Sequence, residues 1–303
     1  MKPSGILNID KSVGWTSFQV VALVRKGSGV RKVGHAGTLD PAASGVLLVC
    51  LNQAVRISQY LMELPKLYRA RIVLGVTTDT YDAEGQTLAT GDFTSVTEGH
   101  LRAALQHFVG PIQQIPPSFS AIKVGGQPAY RLARKGQQLA LKPRPVRIDH
   151  IELLRFEPPL IELEVKCGKG TYIRSLAHDL GQHLGCGAHL NGLIRTLVGP
   201  FTLDSALALP EIEEALETGA WRNLLLPLDY GLADLPAITL EHENEMSIRH
   251  GCPLLADAVP TPQAEPFAPL RCRAYSKDGS LLAIVVYDDK AHQWRPEKVF
   301  APV

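Results

Sequence analysis

Gly34-His35-Ala36-Gly37-Thr38-Leu39-Asp40-Pro41-Ala42-Ala43-Ser44-Gly45 is the stretch around which the rest of the chain is organised. Its glycines allow the backbone to adopt positive φ angles or to approach a ligand closely. Asp40 is the only acidic residue between Asp10 and Glu63, and five basic residues lie between Asp10 and Asp40. A lone carboxylate on a glycine-rich loop in basic surroundings indicates chemistry on a polyanion, although an Asp-Pro pair is also typical of a simple turn.

The charge distribution supports a polyanionic partner. Residues 1–203 contain 23 lysines and arginines against 14 acidic residues, whereas residues 204–303 contain 8 against 16. Residues 101–148 contain eight basic residues and no acidic one. A solvated basic face would explain a shorter stretch of this kind, but this length favours contact with nucleic-acid phosphates.

Bulk composition predicts a globular protein of the cytoplasm. The chain has 303 residues, of which 45% are hydrophobic. A membrane span needs an apolar run of about 18 residues, and the sequence contains none of that length. The N-terminus has no apolar block of the kind that signal peptides carry. The five cysteines are scattered without a Cys-x-x-Cys pair, which fits reduced thiols.

The spacing of apolar and polar residues along the chain predicts a mixed α/β protein with two domains. Residues 67–72 and 160–167 alternate between apolar and polar side chains as half-buried strands do, and residues 16–28 show a capped helical pattern. Pro227 and Pro236 bracket a change of composition, after which helix signals become few. We therefore predict a larger domain over residues 1–233 and a small β-rich domain over residues 234–303, with a hairpin at 270–287.

A basic segment interrupts the larger domain at about residues 123–147. Glycines and prolines flank it, and Arg131 and Arg134 are spaced to share one face of a short helix. This arrangement is typical of an arm that closes on a nucleic-acid backbone.

Other functional classes lack their motifs. Four potential zinc ligands lie between residues 178 and 189, but their spacing fits neither a zinc finger nor His-Glu-x-x-His, so ordinary histidines explain them. No Gly-x-Ser-x-Gly, Gly-x-Gly-x-x-Gly or complete Walker loop occurs. We expect neither a metal nor a cofactor.

Several motifs, in order over residues 5–200, resemble those of bacterial tRNA pseudouridine-55 synthases, the TruB class. These are the Asp40 loop with its Gly-Thr-Leu-Asp-Pro, Lys66-Leu67-Tyr68, the segment Pro116–Lys123, Lys169–Arg174 and Leu193-Ile194-Arg195. Where the family has an Asp-Lys-Pro segment, this chain has Asp10-Lys11-Ser12, and the serine should loosen the turn and leave Lys11 available. The resemblance implies a catalytic domain with a mixed, largely antiparallel sheet and a C-terminal domain of the PUA type.

The resemblance also implies a role for each matching residue. Asp40 corresponds to the nucleophile, Tyr68 to the aromatic residue that stacks on the flipped uracil, and Arg174 to the arginine that pairs with the catalytic carboxylate. The residues expected to bind the substrate are His35, which fills the space of the flipped base, Tyr172 and Leu193 as pocket walls, and Lys11, Lys123, Arg131 and Arg134 as RNA contacts.

The implied reaction is the isomerisation of uridine 55 in the T-loop of tRNA to pseudouridine. An ionised Asp can attack covalently, and attack on the base, attack on the sugar carbon and initial elimination all remain open. We expect a monomer with tRNA as its partner, without membrane association and without an obligatory protein partner. Two alternatives are a guide-RNA-dependent pseudouridine synthase and a non-catalytic RNA-binding or folding factor.

Overall fold

The computed structural model describes residues 3–137, 139–256 and 270–300. Parts of both predicted domains and one residue of the basic insertion therefore lie outside the described residues. The strands are β1 Gly5–Lys11, β2 Val33–His35, β3 Ala43–Leu51, β4 Lys66–Leu74, β5 Val76–Thr78, β6 Thr87–Thr90, β7 Gly110–Gln114, β8 Lys123–Val124, β9 Gln127–Pro128, β10 Arg144–Glu157, β11 Leu160–Cys167, β12 Ala188–Val198, β13 Phe201–Thr202, β14 Leu207–Ala208, β15 Ala237–Thr239, β16 Leu254–Leu255, β17 Arg271–Tyr275, β18 Leu281–Asp288 and β19 Gln293–Val299. The α-helices are α1 Ser17–Ser28, α2 Ser58–Glu63, α3 Glu98–Gln106, α4 Ala129–Ala133, α5 Ile173–Leu184, α6 Leu209–Thr218 and α7 His242–Arg249.

Ten strands form one large sheet, in the order β14-β1-β3-β12-β4-β11-β10-β7, with β2 added to β3 and β13 to β12. The β1–β14 and β3–β12 pairs are parallel and all the other pairs of this sheet are antiparallel. The prediction of a mixed, largely antiparallel sheet is confirmed.

The register at the centre of this sheet positions the site. In β12, Arg195 lies opposite Gly45 of β3 on one side and opposite Tyr68 of β4 on the other. Three residues that are far apart in the chain therefore form one row across the sheet. This row lies at the start of β3, where the chain leaves the Asp40 loop.

Local sequence explains the neighbouring elements. In β4, Tyr68, Ala70 and Ile72 are buried while Arg69 and Arg71 are exposed, so the predicted alternation is confirmed. At the start of α1, Thr16 and Gln19 form a capping box. The helix ends at Gly29, which has a φ of 68° that glycine adopts without strain.

Gly45 leaves no room for a side chain. Its φ is +104°, and a Cβ built on it would lie 2.2 Å from the carbonyl oxygen of Arg195. We expect Gly45→Ala to lower the free energy of unfolding by about 3 kcal/mol or more, from backbone strain and steric overlap together. Gly110→Ala is the matched control, since Gly110 has a φ of +100° with no atom within 4 Å of the built Cβ. Urea denaturation of both variants measures the difference, and equal losses would contradict the steric explanation.

The C-terminal part of the chain forms a separate five-stranded sheet in the order β15-β17-β18-β19-β16. Strands β17 and β18 pair antiparallel, which confirms the predicted hairpin. Ile284 and Phe300 of this part are buried in an apolar cluster that also contains Leu61 and Leu232. In the described part of the chain, no helix is long and apolar enough to cross a membrane.

Candidate active site

Asp40 lies in the loop between β2 and β3, and its carboxylate is held from one side. Its Oδ2 lies 2.9 Å from Nη2 of Arg174, whose side chain is 6% exposed. The Asp40 side chain is 41% exposed. The carboxylate therefore has a buried counter-charge behind it and an open face toward solvent, as a group that reacts with a bound substrate requires.

The Arg174 guanidinium joins three segments of the chain. It enters from the first turn of α5 and donates hydrogen bonds to the carbonyl oxygens of Thr80 and Phe119, at 3.2 and 3.0 Å. The planar guanidinium suits this role, because its donors point in fixed directions. The predicted pairing of Arg174 with a carboxylate is present in the geometry, and its catalytic role stays a prediction.

Asp82 is a second carboxylate that contacts Arg174, and no sequence motif indicated a role for it. Its Oδ2 lies 3.4 Å from Nη1 of Arg174, and its side chain is 12% exposed. Oδ1 of Asp82 accepts hydrogen bonds from the Glu84 amide and the Thr80 hydroxyl. The only sequence signal was an acidic, turn-rich stretch over residues 78–85, whose spacing gives no indication that it meets α5.

Two tyrosines lie near enough to Asp40 for its charge to act on their phenols. Tyr68 projects from β4 and is 8% exposed, and Tyr172 caps the N-terminus of α5. Burial raises the pKa of both phenols, and the charge of Asp40 adds to the rise in each case. Gln114 fixes Tyr172 by accepting from its amide and donating to its carbonyl oxygen, at 2.8 and 3.1 Å. The Tyr172 backbone is thus fixed near Asp40, and contact of either ring with a flipped base stays a prediction.

Arg195 holds the loop that carries Asp40. Its side chain is fully buried and donates to the carbonyl oxygens of Val46, Thr38 and Gly37, at 2.7, 3.3 and 3.2 Å. In the sequence, this arginine stands out only as the end of the Leu193-Ile194-Arg195 motif. This buried guanidinium therefore fixes the backbone on both sides of Asp40.

The roles expected of His35 and Leu193 in binding the base stay predictions. His35 ends β2 five residues before Asp40, and burial lowers the pKa of its imidazole, with Arg195 adding to the effect. Leu193 of β12 is partly buried against the apolar cluster that contains Leu39 and Tyr68. A neutral imidazole and an apolar wall fit a site for an uncharged base.

The position of Lys11 contradicts the prediction that this side chain contacts the RNA. It was expected to be available to the RNA, but its side chain is fully buried. Its ammonium donates to the carbonyl oxygens of Ser12, Trp15 and Ala43. Burial lowers its pKa to about 8. Lys11 therefore holds the turn after β1 against the start of β3, and Ser12 still supplies a carbonyl acceptor in the place of proline.

The lysines and arginines of the basic insertion are all exposed, as its predicted role requires. Lys123 begins the β8–β9 hairpin, and α4 carries Arg131 on its short length. The helix ends at Ala133, so Arg134 lies just beyond it rather than within it. Both guanidiniums lie within about 6 Å of the Tyr130 ring. Phosphate contact by these three side chains stays a prediction.

The histidines considered for zinc lie in different surroundings. His178 stacks on Tyr81 with ring centroids 3.9 Å apart, while His183 packs near His107. Among the described residues, no group of three or more His, Cys, Asp or Glu side chains is arranged to hold a metal ion.

The carboxylate of Asp179, next to His178 on α5, makes the free energy of unfolding depend on pH. Burial raises its pKa from 3.8 to about 6, so the folded state binds more protons than the unfolded state between these values. The free energy of unfolding therefore falls as pH rises through this window. We expect Asp179→Asn to be more stable than the unchanged chain at pH 7, because it removes a buried charge. The gain should be only about 1 kcal/mol, because solvent screens this partly buried group.

Urea denaturation at pH 4 to 7 checks this prediction, and the difference should shrink toward zero near pH 4. Asp204→Asn is the control, since Asp204 is exposed. A variant at Asp179 that loses stability at pH 7 would contradict it.

Comparison with known proteins agrees with this geometry. A model of the TruB family pseudouridylate synthase N-terminal domain matches residues 25–173, and one of the tRNA pseudouridylate synthase B C-terminal domain matches residues 174–233. The chain is 46% identical over 250 residues to tRNA pseudouridine synthase B of Symbiobacterium thermophilum, covering 82% of each protein. It is 41% identical to the same enzyme of Dehalococcoides mccartyi, covering 98% of this chain and 96% of that one.

A solved structure of a Cbf5-Nop10-Gar1 complex is similar over 98% of this chain and 85% of its own, with a TM-score of 0.78 and 28% identity. Another, an H/ACA RNP bound to a substrate RNA containing 2'-deoxyuridine, gives a TM-score of 0.76 over 98% of this chain and 85% of that one, with 27% identity. The fold and the site thus define a pseudouridine synthase, an isomerase. Within that class, the chain belongs to the TruB family of pseudouridylate synthases.

Proposed function

We propose that this enzyme isomerises uridine 55 in the T-loop of tRNA to pseudouridine, with Asp40 as its nucleophile. The observation that carries the proposal is the open carboxylate of Asp40, backed by the buried guanidinium of Arg174. The relatives named tRNA pseudouridine synthase B support tRNA as the substrate.

The reaction requires a flipped base and a paired carboxylate. The N-glycosidic bond breaks, the uracil turns, and a bond forms from C5 to the sugar while the proton on C5 leaves. Taking the base out of the stack costs a few kcal/mol, which packing between Tyr68, Tyr172 and Leu193 offsets. Arg174 favours the charged form of Asp40 when a bound base excludes water. His35 occupies the space that the base leaves.

The insertion supplies phosphate contacts in this proposal. We expect the double change Arg131→Ala with Arg134→Ala to weaken binding of a T-arm hairpin and to reduce the slope of log Kd against log salt by about 1 to 2. Fluorescence anisotropy at several salt concentrations measures this. Arg155→Ala is the control, because Arg155 lies at the far end of β10 and pairs with Glu157. An unchanged slope would remove the insertion from the RNA interface.

We further propose that the enzyme acts in the cytoplasm as a monomer without protein partners. The proposed division at residue 233 is supported by the two separate sheets on either side of it. The basic, exposed insertion supports a self-sufficient enzyme. The likeness to Cbf5 complexes favours a guide-RNA-dependent enzyme as the second candidate.

Tritium release from a T-arm hairpin labelled at C5 of its uridines tests the proposal, because C5 loses its hydrogen only when the base is rejoined through carbon. We expect release without any added factor, and none from a hairpin that carries cytidine at position 55. No release together with tight binding would favour the guided enzyme or a non-catalytic RNA-binding factor. Release from the cytidine hairpin would overturn the assignment of the position.

A further inference from the structure

An exposed stripe on α1 consists of Phe18, Ala22, Arg25 and Lys26. All four side chains are exposed, and their spacing places them on one side of the helix. Phe18 is 68% exposed, although a phenylalanine is usually buried in a protein core. The helix Ser17–Ser28 contains no acidic residue. The α1 stripe is therefore an aromatic surface followed by a basic one.

The α1 stripe begins directly beside the Asp40 loop. Ser17 is buried, and its hydroxyl accepts from the Leu39 amide at 2.9 Å and donates to the Leu39 carbonyl oxygen at 3.0 Å. The Gly14 amide donates to the carbonyl oxygen of Pro41 at 2.8 Å. The first residue of α1 and the segment before it are thus fixed to the residues on either side of Asp40. Val13, in the same segment, is 63% exposed.

The chemistry of the substrate suggests what covers this surface. When one base leaves the stack, its neighbours in the loop lose stacking partners. An exposed aromatic ring offers a stacking face to any base, and nearby cations attract the phosphates that connect those bases. Arg25 also donates to the Val33 carbonyl oxygen, so Lys26 is the less constrained of the two cations.

We propose that the α1 stripe is a second RNA-binding surface, in which Phe18 stacks on a T-loop base other than the isomerised uridine and Lys26 contacts the phosphate backbone. The proposal rests on the proposed function, since it takes the RNA loop at Asp40 as the ligand. It adds a contact outside the pocket formed by the two tyrosines.

Binding of the T-arm hairpin to the Asp40→Asn protein, which separates affinity from turnover, tests the proposal. We expect Phe18→Ala in this background to weaken binding about tenfold. The slope of log Kd against log salt should not change, because no phosphate contact is lost. Phe18→Trp should bind within about twofold of the parent, since it keeps a stacking face. Lys26→Ala should instead reduce the slope by about 1.

Leu88→Ala is the matched control, because Leu88 is 66% exposed on β6 and should leave the affinity unchanged. Unchanged affinity of Phe18→Ala would overturn the proposal, and so would an equal loss in Phe18→Trp, which would indicate a role in packing. Tritium release by the unchanged chain keeps the two proposals distinguishable. If release occurs while Phe18→Ala binds normally, only the second RNA surface is wrong; if the hairpin neither binds nor reacts, the proposed function is wrong.

Discussion

Asp40→Asn is expected to lower the rate of tritium release by about 10⁴-fold or more, because an amide cannot act as the nucleophile. Hairpin binding should stay within about twofold of the unchanged chain. The two side chains have nearly the same shape, and Asp40 is partly open to solvent, so the exchange leaves the walls of the pocket in place. Single-turnover assays with excess enzyme measure the chemical step apart from product release.

The control for Asp40→Asn is Asp204→Asn, which changes an exposed carboxylate of the same chemistry and should retain full activity. Circular dichroism confirms that each variant is folded before its rate is compared. Full activity of Asp40→Asn would remove Asp40 from the chemistry and with it the central assignment of the site. Loss of both activity and hairpin binding would instead indicate that the loop itself had changed.

Arg174→Met is expected to lower the single-turnover rate by about 10²- to 10³-fold, because it removes the only guanidinium paired with Asp40 in the described structure. Asp40 and Asp82 would then lie near each other without their shared counter-charge. The free energy of unfolding should also fall by about 3 kcal/mol, since the largely buried carboxylate of Asp82 loses its charged partner. Rates are therefore measured well below the melting temperature.

Arg174→Lys gives the graded comparison. An ammonium is a compact charge, so it can balance one carboxylate but cannot reproduce the fork that reaches Asp40, Asp82 and two carbonyl oxygens. Its rate should fall between those of the unchanged chain and Arg174→Met. The control is Arg69→Met, since the Arg69 side chain is 64% exposed and its contact with Glu164 is a surface pair of little energetic value. Equal rates for Arg174→Met and Arg69→Met would exclude Arg174 from catalysis.

These variants distinguish the residues proposed to take part in the chemistry from those that hold the loops in position. In the proposed function, Asp40 is the nucleophile, Arg174 supplies the charge behind it, and Tyr68 and Tyr172 bind the base. Arg195 and Lys11 touch backbone carbonyl oxygens rather than the open face of the site, so they hold the loops in position. Variants of this last pair should lose stability and activity together, whereas variants of Asp40 should lose activity alone.

The sequence by itself determined the features that depend on neighbouring residues. The alternation in β4 required only that one face of a strand be buried, and the boundaries of α1 followed from a cap and a glycine. The Asp40 loop, the basic insertion and the family motifs were also readable, because each is a continuous stretch. From these, the class of the fold and Asp40 as the candidate reactive carboxylate could be predicted.

Only the tertiary structure decided which distant groups meet. Arg195 holds the carbonyl oxygen of Thr38 across 157 residues of chain, and Asp82 reaches α5 from a turn that has no motif of its own. Lys11 was expected at the surface, yet three carbonyl oxygens from two segments enclose it. These contacts depend on the register of β3, β12 and β4, which is set by the packing of the whole sheet. A side chain's partner across a sheet is a property of that packing, so no local pattern could have specified it.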